Sequence, residues 1–375
     1  MLNYYRLNLD ITFTHDEDSY LAFALTPGVG PIKFNNLIKS FGSVTKAYTA
    51  NANELLPILG PATTNEYITF RHTYHPEIII SQYAQRQITL IPRSHPQFPK
   101  LLLEIADPPI CLFALHQDCK PILNDDCLYF SIVGSRKYTA YGKATTFQIA
   151  SDLAIAGVTI VSGLAIGIDA FAHEATISNK GTTIAVLGCG VEVSYPPQNH
   201  ALRQRIIDSG NCIISEYPPN MQPTRGSFVS RNRIISGMSR GVLIVEGSDK
   251  SGSLITATCA ANQGRDVFAV PGQISAESSQ APLILLKQGA KLTTSSSDIL
   301  TEYQIQKLTT KKPISYDNFN PQETQVLNCL INGSLYIDEI ALTLKWTVAQ
   351  VMSVLTILEI GGSVEKDQNG KYALV

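Results

Sequence analysis

What this 375-residue sequence lacks narrows its identity before any motif is read. It contains no uncharged apolar run of the roughly 18 residues that a membrane span needs, so no transmembrane segment is expected. Its opening, MLNYYRLNLDITFTHDEDSY, lacks the basic start and apolar core of a secretory signal, which makes a cytoplasmic location the expectation. The seven cysteines (Cys111, Cys119, Cys127, Cys189, Cys212, Cys259 and Cys329) form no C-x-x-C pair. Their spacing suggests neither a zinc site nor a disulfide framework and predicts reduced, mostly buried thiols. A large excess of one charge is also missing: 29 Lys and Arg stand against 31 Asp and Glu, for a net charge of -2. The chain is therefore not coated in positive charge, although net charge leaves its local distribution open.

With 44% hydrophobic and 16% charged residues, the chain has an ordinary globular composition, and its length suggests two or three domains. Residues 1–90 read as a small helical domain, in which Pro27 to Gly30 precede apolar positions Ile32, Leu37, Ile38 and Phe41 at helical spacing. A proline-punctuated connector, Pro92 to Pro109, follows. Then six short β-branched runs, at 128–134, 158–163, 182–188, 212–216, 241–247 and 266–272, alternate with helical sequence. That alternation predicts an α/β, Rossmann-like, mainly parallel sheet over residues 91–308, with tight turns at the carboxyl ends of its strands. A polar linker is expected at 309–318. Residues 319–375 open on a helix start, Asn320-Pro321-Gln322-Glu323, and read as three helices and a two-stranded wing. The second helix of that helix-turn-helix offers Gln350, Ser353 and Thr356 but no Lys or Arg, which favours a protein-contact or structural role over duplex reading.

Charge is concentrated locally. From Arg225 to Arg265 six cations face two acids, and from Ser131 to Thr145 there are three cations and no acid. Gly134 and Ser135 end a strand, with Arg136 and Lys137 at the lip of the next helix, a combination suited to an anion. Ser162-Gly163 and Gly167 repeat the device, and Lys250-Ser251-Gly252-Ser253 stand just ahead of another helix. None of these is a G-x-G-x-x-G, Walker A or G-x-S-x-G motif, so neither a dinucleotide, nor triphosphate hydrolysis, nor a nucleophile elbow is indicated. Asp169 and His173, four apart on one helical face, have no third ligand at suitable spacing and are read as making local hydrogen bonds. No catalytic residue, metal or cofactor is assigned. A row of anion sites on one rim suits a polyphosphate backbone. Between two of them lies GSFVSRNRIISG (226–237), with Arg231, Asn232 and Arg233; Phe228 is a base-stacking candidate or a buried anchor, and Tyr195 a second ring able to stack. Arg231 is expected to face outward to phosphate, and Arg233 inward toward Glu216 or Glu246.

Taken as a set and in order, GSR (134–136), VSGLAIGIDAFAHEAT, AVLGCGVEVSYPPQN, SEYPP, RNRIISG and SGSLITA…GRDVFAVPG resemble the DNA-processing protein A family, DprA or Smf, strongly over residues 130–275. The resemblance implies a SAM-like amino-terminal helical domain, an extended Rossmann domain that binds single-stranded DNA and dimerises, and a carboxyl-terminal winged helix. It also implies a role in natural transformation, protecting incoming single strands and loading the recombinase RecA onto them. The implied DNA contacts are Ser135, Arg136, Gly163, Arg231 to Arg233 and Lys250 to Gly252. One departure is visible: Val229 follows Phe228 where family members often have proline, which bears on the rigidity expected of a loop there. The competing reading is a nucleotide-handling Rossmann hydrolase such as a phosphoribohydrolase, whose PGGxGTxxE stretch is only faintly echoed by VPGQISAE.

Overall fold

The computed structural model describes residues 15–117, 123, 127–305, 319–330, 334–361, 363–366 and 370–374. The expected linker at 309–318, the opening fourteen residues and Cys119 lie outside these. The chain forms two compact units, Met1–Leu308 and Thr309–Val375.

Among the described residues the first unit begins with six helices: α1 (His15–Leu25), α2 (Pro31–Phe41), α3 (Val44–Thr49), α4 (Ala52–Leu59), α5 (Pro61–Thr73) and α6 (Pro76–Gln85). Proline at the first position of α2, α5 and α6 fixes their entry, because its missing N–H would have no intrahelical partner there anyway. Their core is aromatic, with Phe23 stacked on Tyr67 at 4.9 Å and Phe34 edge-on to Phe23. Arg93 reaches into this core. Its Nη1 donates to Asn35 Oδ1 at 2.6 Å, its Nε donates to the Pro109 carbonyl at 2.6 Å, and its guanidinium lies 4.9 Å from the Phe34 ring. Burial pulls its pKa down to about 10.

Nine strands follow in one sheet: β1 (Ile88–Pro92), β2 (Cys111–Leu115), β3 (Tyr129–Val133), β4 (Thr159–Ser162), β5 (Thr183–Val186), β6 (Cys212–Ser215), β7 (Gly241–Ile244), β8 (Asp266–Ala269) and β9 (Lys291–Leu292). Their order is β1-β2-β6-β5-β4-β3-β7-β8-β9. All pairs from β6 to β9 are parallel, while β1–β2 and β2–β6 are antiparallel. The six anticipated strands are β3 to β8. β1 and β2, which flank the expected connector, extend the sheet at one edge and β9 at the other.

Intervening helices cover both faces: α7 (Lys100–Leu103), α8 (Ala140–Ile155), α9 (Ile168–Ser178), α10 (His200–Asp208), α11 (Arg225–Met238), α12 (Gly252–Asn262), α13 (Gln280–Lys287) and α14 (Ser296–Glu302). The chain leaves β3 toward β4 on one side and later returns to β7 on the other. The carboxyl ends of β3 and β7 therefore flank the topological switch point, where doubly wound sheets open a crevice.

The second unit comprises α15 (Pro321–Leu330), α16 (Ile337–Leu344), α17 (Val348–Ile360) and the antiparallel pair β10 (Val364–Lys366) and β11 (Tyr372–Leu374), a winged helix. The caps read from sequence form. Asn320 Oδ1 accepts from the Glu323 amide at 2.9 Å while Glu323 accepts from the Asn320 amide at 2.8 Å, and Thr347 and Gln350 make the same exchange. No single helix among the described residues is long and apolar enough to cross a membrane.

Candidate nucleic-acid interface

A cleft of about 1100 Å³ opens at the switch point. Its walls are the turn after β3, one face of α11, and the start of α12 with the loop that follows β8, and Ala165, Asp169 and Tyr195 add to the lining from the segments after β4 and β5. Nine of the twelve residues proposed from sequence line it: Gly134, Ser135, Arg136, Lys137, Phe228, Arg231, Asn232, Ser251 and Gly252. Gly163 lines an adjoining cavity of about 220 Å³ that shares Arg136, Tyr195, Phe228 and Arg231 with the cleft. Lys250 stands exposed beside the cleft without lining it, and Arg233 points elsewhere.

Helical geometry explains why the two arginines part. The stretch expected as a loop is the middle of α11, begun by a Thr224–Ser227 capping box, with Val229 inside the helix where a proline would have cost a backbone hydrogen bond. Phe228, Arg231, Asn232 and Ile235 recur at helical spacing on the cleft face, whereas Arg233 lies about 200° around the helix from Arg231. Arg233 Nε pairs with Asp107 at 3.1 Å and its Nη2 with Glu216, so the inward placement against Glu216 is the one observed. Glu246 is engaged elsewhere.

Arg231 corrects the expectation of an outward side chain, since only 4% of it is exposed. Its Nη1 donates to the Gly163 carbonyl at 2.7 Å and to the Val186 carbonyl, tying together the ends of β4 and β5. Asp169 completes this interior brace. Its Oδ2 accepts from the Gly163 amide at 3.1 Å and the Ala165 amide at 3.4 Å. Burial pushes the Asp169 pKa up, against the opposing pull of Arg231 and of the Ala165, Gly163 and Gly134 amides. Burial likewise lowers the pKa of Arg231, with Asp169 opposing. Glycine is required at 163, where a Cβ would lie 2.7 Å from both the Arg231 guanidinium and the Asp169 carboxylate. His173 does not join Asp169; its Nδ1 bonds Thr183 Oγ1 at 2.7 Å, and burial drives its pKa down to about 3.

The protein's own carboxylates therefore fill two of the expected anion cradles. Asp169 occupies the turn after β4. Glu246, buried at the end of β7, accepts from the Thr139 amide at 2.9 Å and the Thr139 hydroxyl at 2.5 Å, closing the amino terminus of α8. What stays open to the cleft is different. The Ser135 and Arg136 amides make no hydrogen bond among the described residues, Arg136 and Lys137 are exposed, and the amino termini of α11 and α12 meet the rim with their dipoles favouring an anion. Arg225, at the first turn of α11, adds a cation that motif reading passed over, although the Thr224-x-x-Ser227 cap ahead of the run could have placed it. Arg136, Lys137, Arg225 and Arg231 face Asp169 and Glu277 in the cleft wall, so the balance is positive by two.

Phe228 sits half-buried among these charges. Its ring centroid is 5.2 Å from that of Tyr195, and the guanidinium carbons of Arg136 and Arg231 lie 5.8 and 6.0 Å from its centre.

A doubly wound α/β core with a basic, aromatic-lined cleft at its switch point, carried with a winged helix, defines a class of Rossmann-core proteins suited to a phosphate-bearing ligand. The chain belongs to the family described as DNA recombination-mediator protein A, which matches residues 89–304, and the DprA winged helix domain matches residues 311–370. It is 37% identical over 289 residues to protein Smf of Synechocystis, covering 76% of this chain and 72% of that one. It is 41% identical over 231 residues to the DNA processing protein DprA of Bacillus subtilis, covering 61% and 76%. Among solved structures it is similar to DprA of Streptococcus pneumoniae (TM-score 0.65, 32% identity, covering 76% of this chain and 97% of that one). It is also similar to DprA of Helicobacter pylori (TM-score 0.52, 30% identity, covering 58% and 96%), a protein described for its single-stranded DNA binding mode.

Proposed function

We propose that the switch-point cleft binds the phosphodiester backbone of single-stranded DNA. The observation that carries this reading is the clustering of exposed Arg136, Lys137 and Arg225 around the half-buried Phe228–Tyr195 ring pair. Cations and helix amino termini hold phosphates without reading sequence, and the rings offer a face to a base. Single-strand binding by the relative from H. pylori supports the same ligand. In this proposal the protein is a cytoplasmic, homodimeric binder rather than an enzyme. It acts in natural transformation, protecting incoming strands and loading RecA onto them. The division of labour follows the chain: a SAM-like helical part over residues 1–90, the DNA-binding Rossmann part over 91–308, a linker at 309–318 and the winged helix over 319–375.

Gly163, Arg231 and Arg233 take part by holding the cleft's shape; Gly134, Ser135, Arg136, Lys137, Phe228, Asn232, Ser251 and Gly252 form its wall, and Lys250 flanks it. Fluorescence anisotropy with a labelled single-stranded oligonucleotide tests the reading. Arg136→Ala with Lys137→Ala is expected to weaken binding and to flatten the log-log salt dependence by about 1.4, at roughly 0.7 per lost phosphate contact. Unchanged affinity and slope would reject the site.

A further inference from the structure

An aromatic cluster of buried Phe171, partly buried Phe147 and exposed Tyr138 takes no part in the cleft wall. Lys137 and Thr139 line the cleft, but Tyr138 between them does not. Tyr138 is 45% exposed, although its sequence neighbours offer ample polar surface. Its ring packs perpendicular to Phe171, at 89° with centroids 4.6 Å apart, and Phe171 in turn packs on Phe147 at 5.8 Å. Gly167, with its positive φ, lets the whole turn approach, since a Cβ there would come within 2.4 Å of the Ser135 carbonyl oxygen and 3.2 Å of the Tyr138 ring. Lys143 reaches over the same cluster, its Nζ 5.2 Å from the Phe171 ring centre and 6.0 Å from that of Phe147. Arg136, Lys137 and Lys143 make no ion pair among the described residues. Of the acids around this turn, Glu246 is engaged by Thr139 and Asp169 by the Gly163 and Ala165 amides, while Glu277 stands in the cleft wall.

We propose that Tyr138 is a second base-stacking platform, outside the cleft, that receives a nucleobase of single-stranded DNA as the strand leaves past Arg136 and Lys137 toward Lys143. The inference rests on the cleft being the single-strand site. It is carried by continuity and charge: the tyrosine shares a turn with two cleft cations, a third cation in no ion pair among the described residues follows in the first turns of α8, and the ring is braced so that stacking costs little further side-chain order. A sequence-tolerant strand binder gains affinity from such rings because every base has a π-face. The phosphates on either side then lie against cations rather than acids.

The test compares thymidine oligomers of about six and about sixteen nucleotides, a range spanning single-fold site sizes. Tyr138→Ala in the full chain is expected to weaken binding of the longer oligomer about tenfold, leave the shorter one unchanged, and leave the salt slope of both unchanged because no charge is removed. Tyr138→Trp is expected to bind the longer oligomer at least as well as the native protein. Equal loss on both lengths would make the ring a support for the Ser135–Thr139 turn and overturn the proposal, as would no loss on either or failure of the tryptophan variant to restore binding. If the native protein binds neither oligomer, the cleft reading itself fails and this inference with it.

Discussion

Replacing Arg231 with alanine should damage the fold before it damages any contact with DNA. The side chain is buried and donates to the carbonyls of Gly163 and Val186, while Asp169 beneath it depends on its charge. Arg231→Ala removes those hydrogen bonds, each of roughly 1.5–3 kcal/mol for a charged donor, and strands a buried carboxylate. Leaving the Asp169 carboxylate buried without that neighbouring cation adds to the loss, for a total of about 3–5 kcal/mol. Urea unfolding followed by circular dichroism at pH 7 is expected to show a loss of that size, and Arg231→Met with Asp169→Asn is expected to recover much of it. The sign of the pH dependence is also fixed. Without Arg231 the already raised Asp169 pKa rises further, so the folded variant binds a proton that the unfolded chain, near 3.9, does not. The variant's deficit relative to the native protein is therefore greatest at pH 7 and shrinks as pH falls toward 4. A deficit under about 1 kcal/mol, well short of that loss, or one that grows on acidification would refute the brace.

Three further outcomes follow from the same geometry. Gly163→Ala, whose methyl would sit 2.7 Å from Arg231 and Asp169, is expected to destabilise by about 1–3 kcal/mol in the same unfolding assay. His173, held down to about 3 by burial against an ordinary value near 6.5, contributes stability that is complete above about pH 6.5 and falls by about 1.4 kcal/mol per pH unit on acidification; His173→Leu should flatten that slope between pH 6 and 4. Incubation with a nucleoside monophosphate should release no free base by chromatography; release that scales with protein and persists through purification would revive the hydrolase reading.

The central strands were legible because parallel strands covered on both faces read as unbroken β-branched runs, as in YFSIV and TIVS. β1 and β2 were obscured by the proline-rich segment between them, and β9, at two residues, is too short to carry a pattern. Glycine-rich strand ends marked where the cleft lies, but not which amides remain available. That depends on Glu246, more than a hundred residues from the α8 terminus it closes, and on the Asp169–Arg231 brace, whose members stand 62 positions apart. Composition marks a doubled arginine as an anion site; only the helical period of α11 shows that its two members face opposite sides.

The decisive question is whether the cleft at the β3–β7 switch point is a single-strand site. Anisotropy titrations of the native protein and of Arg136→Ala/Lys137→Ala/Arg225→Ala, with matched single-stranded and duplex oligonucleotides at two salt concentrations, address this directly. The expected results are tighter binding of the single strand, a salt slope of at least about 2 from three phosphate contacts, and loss of most of that slope in the triple variant, which should unfold like the native protein because all three side chains are on the surface. Equal affinity for duplex, or a triple variant that binds the single strand with native affinity and slope, would contradict the single-strand reading.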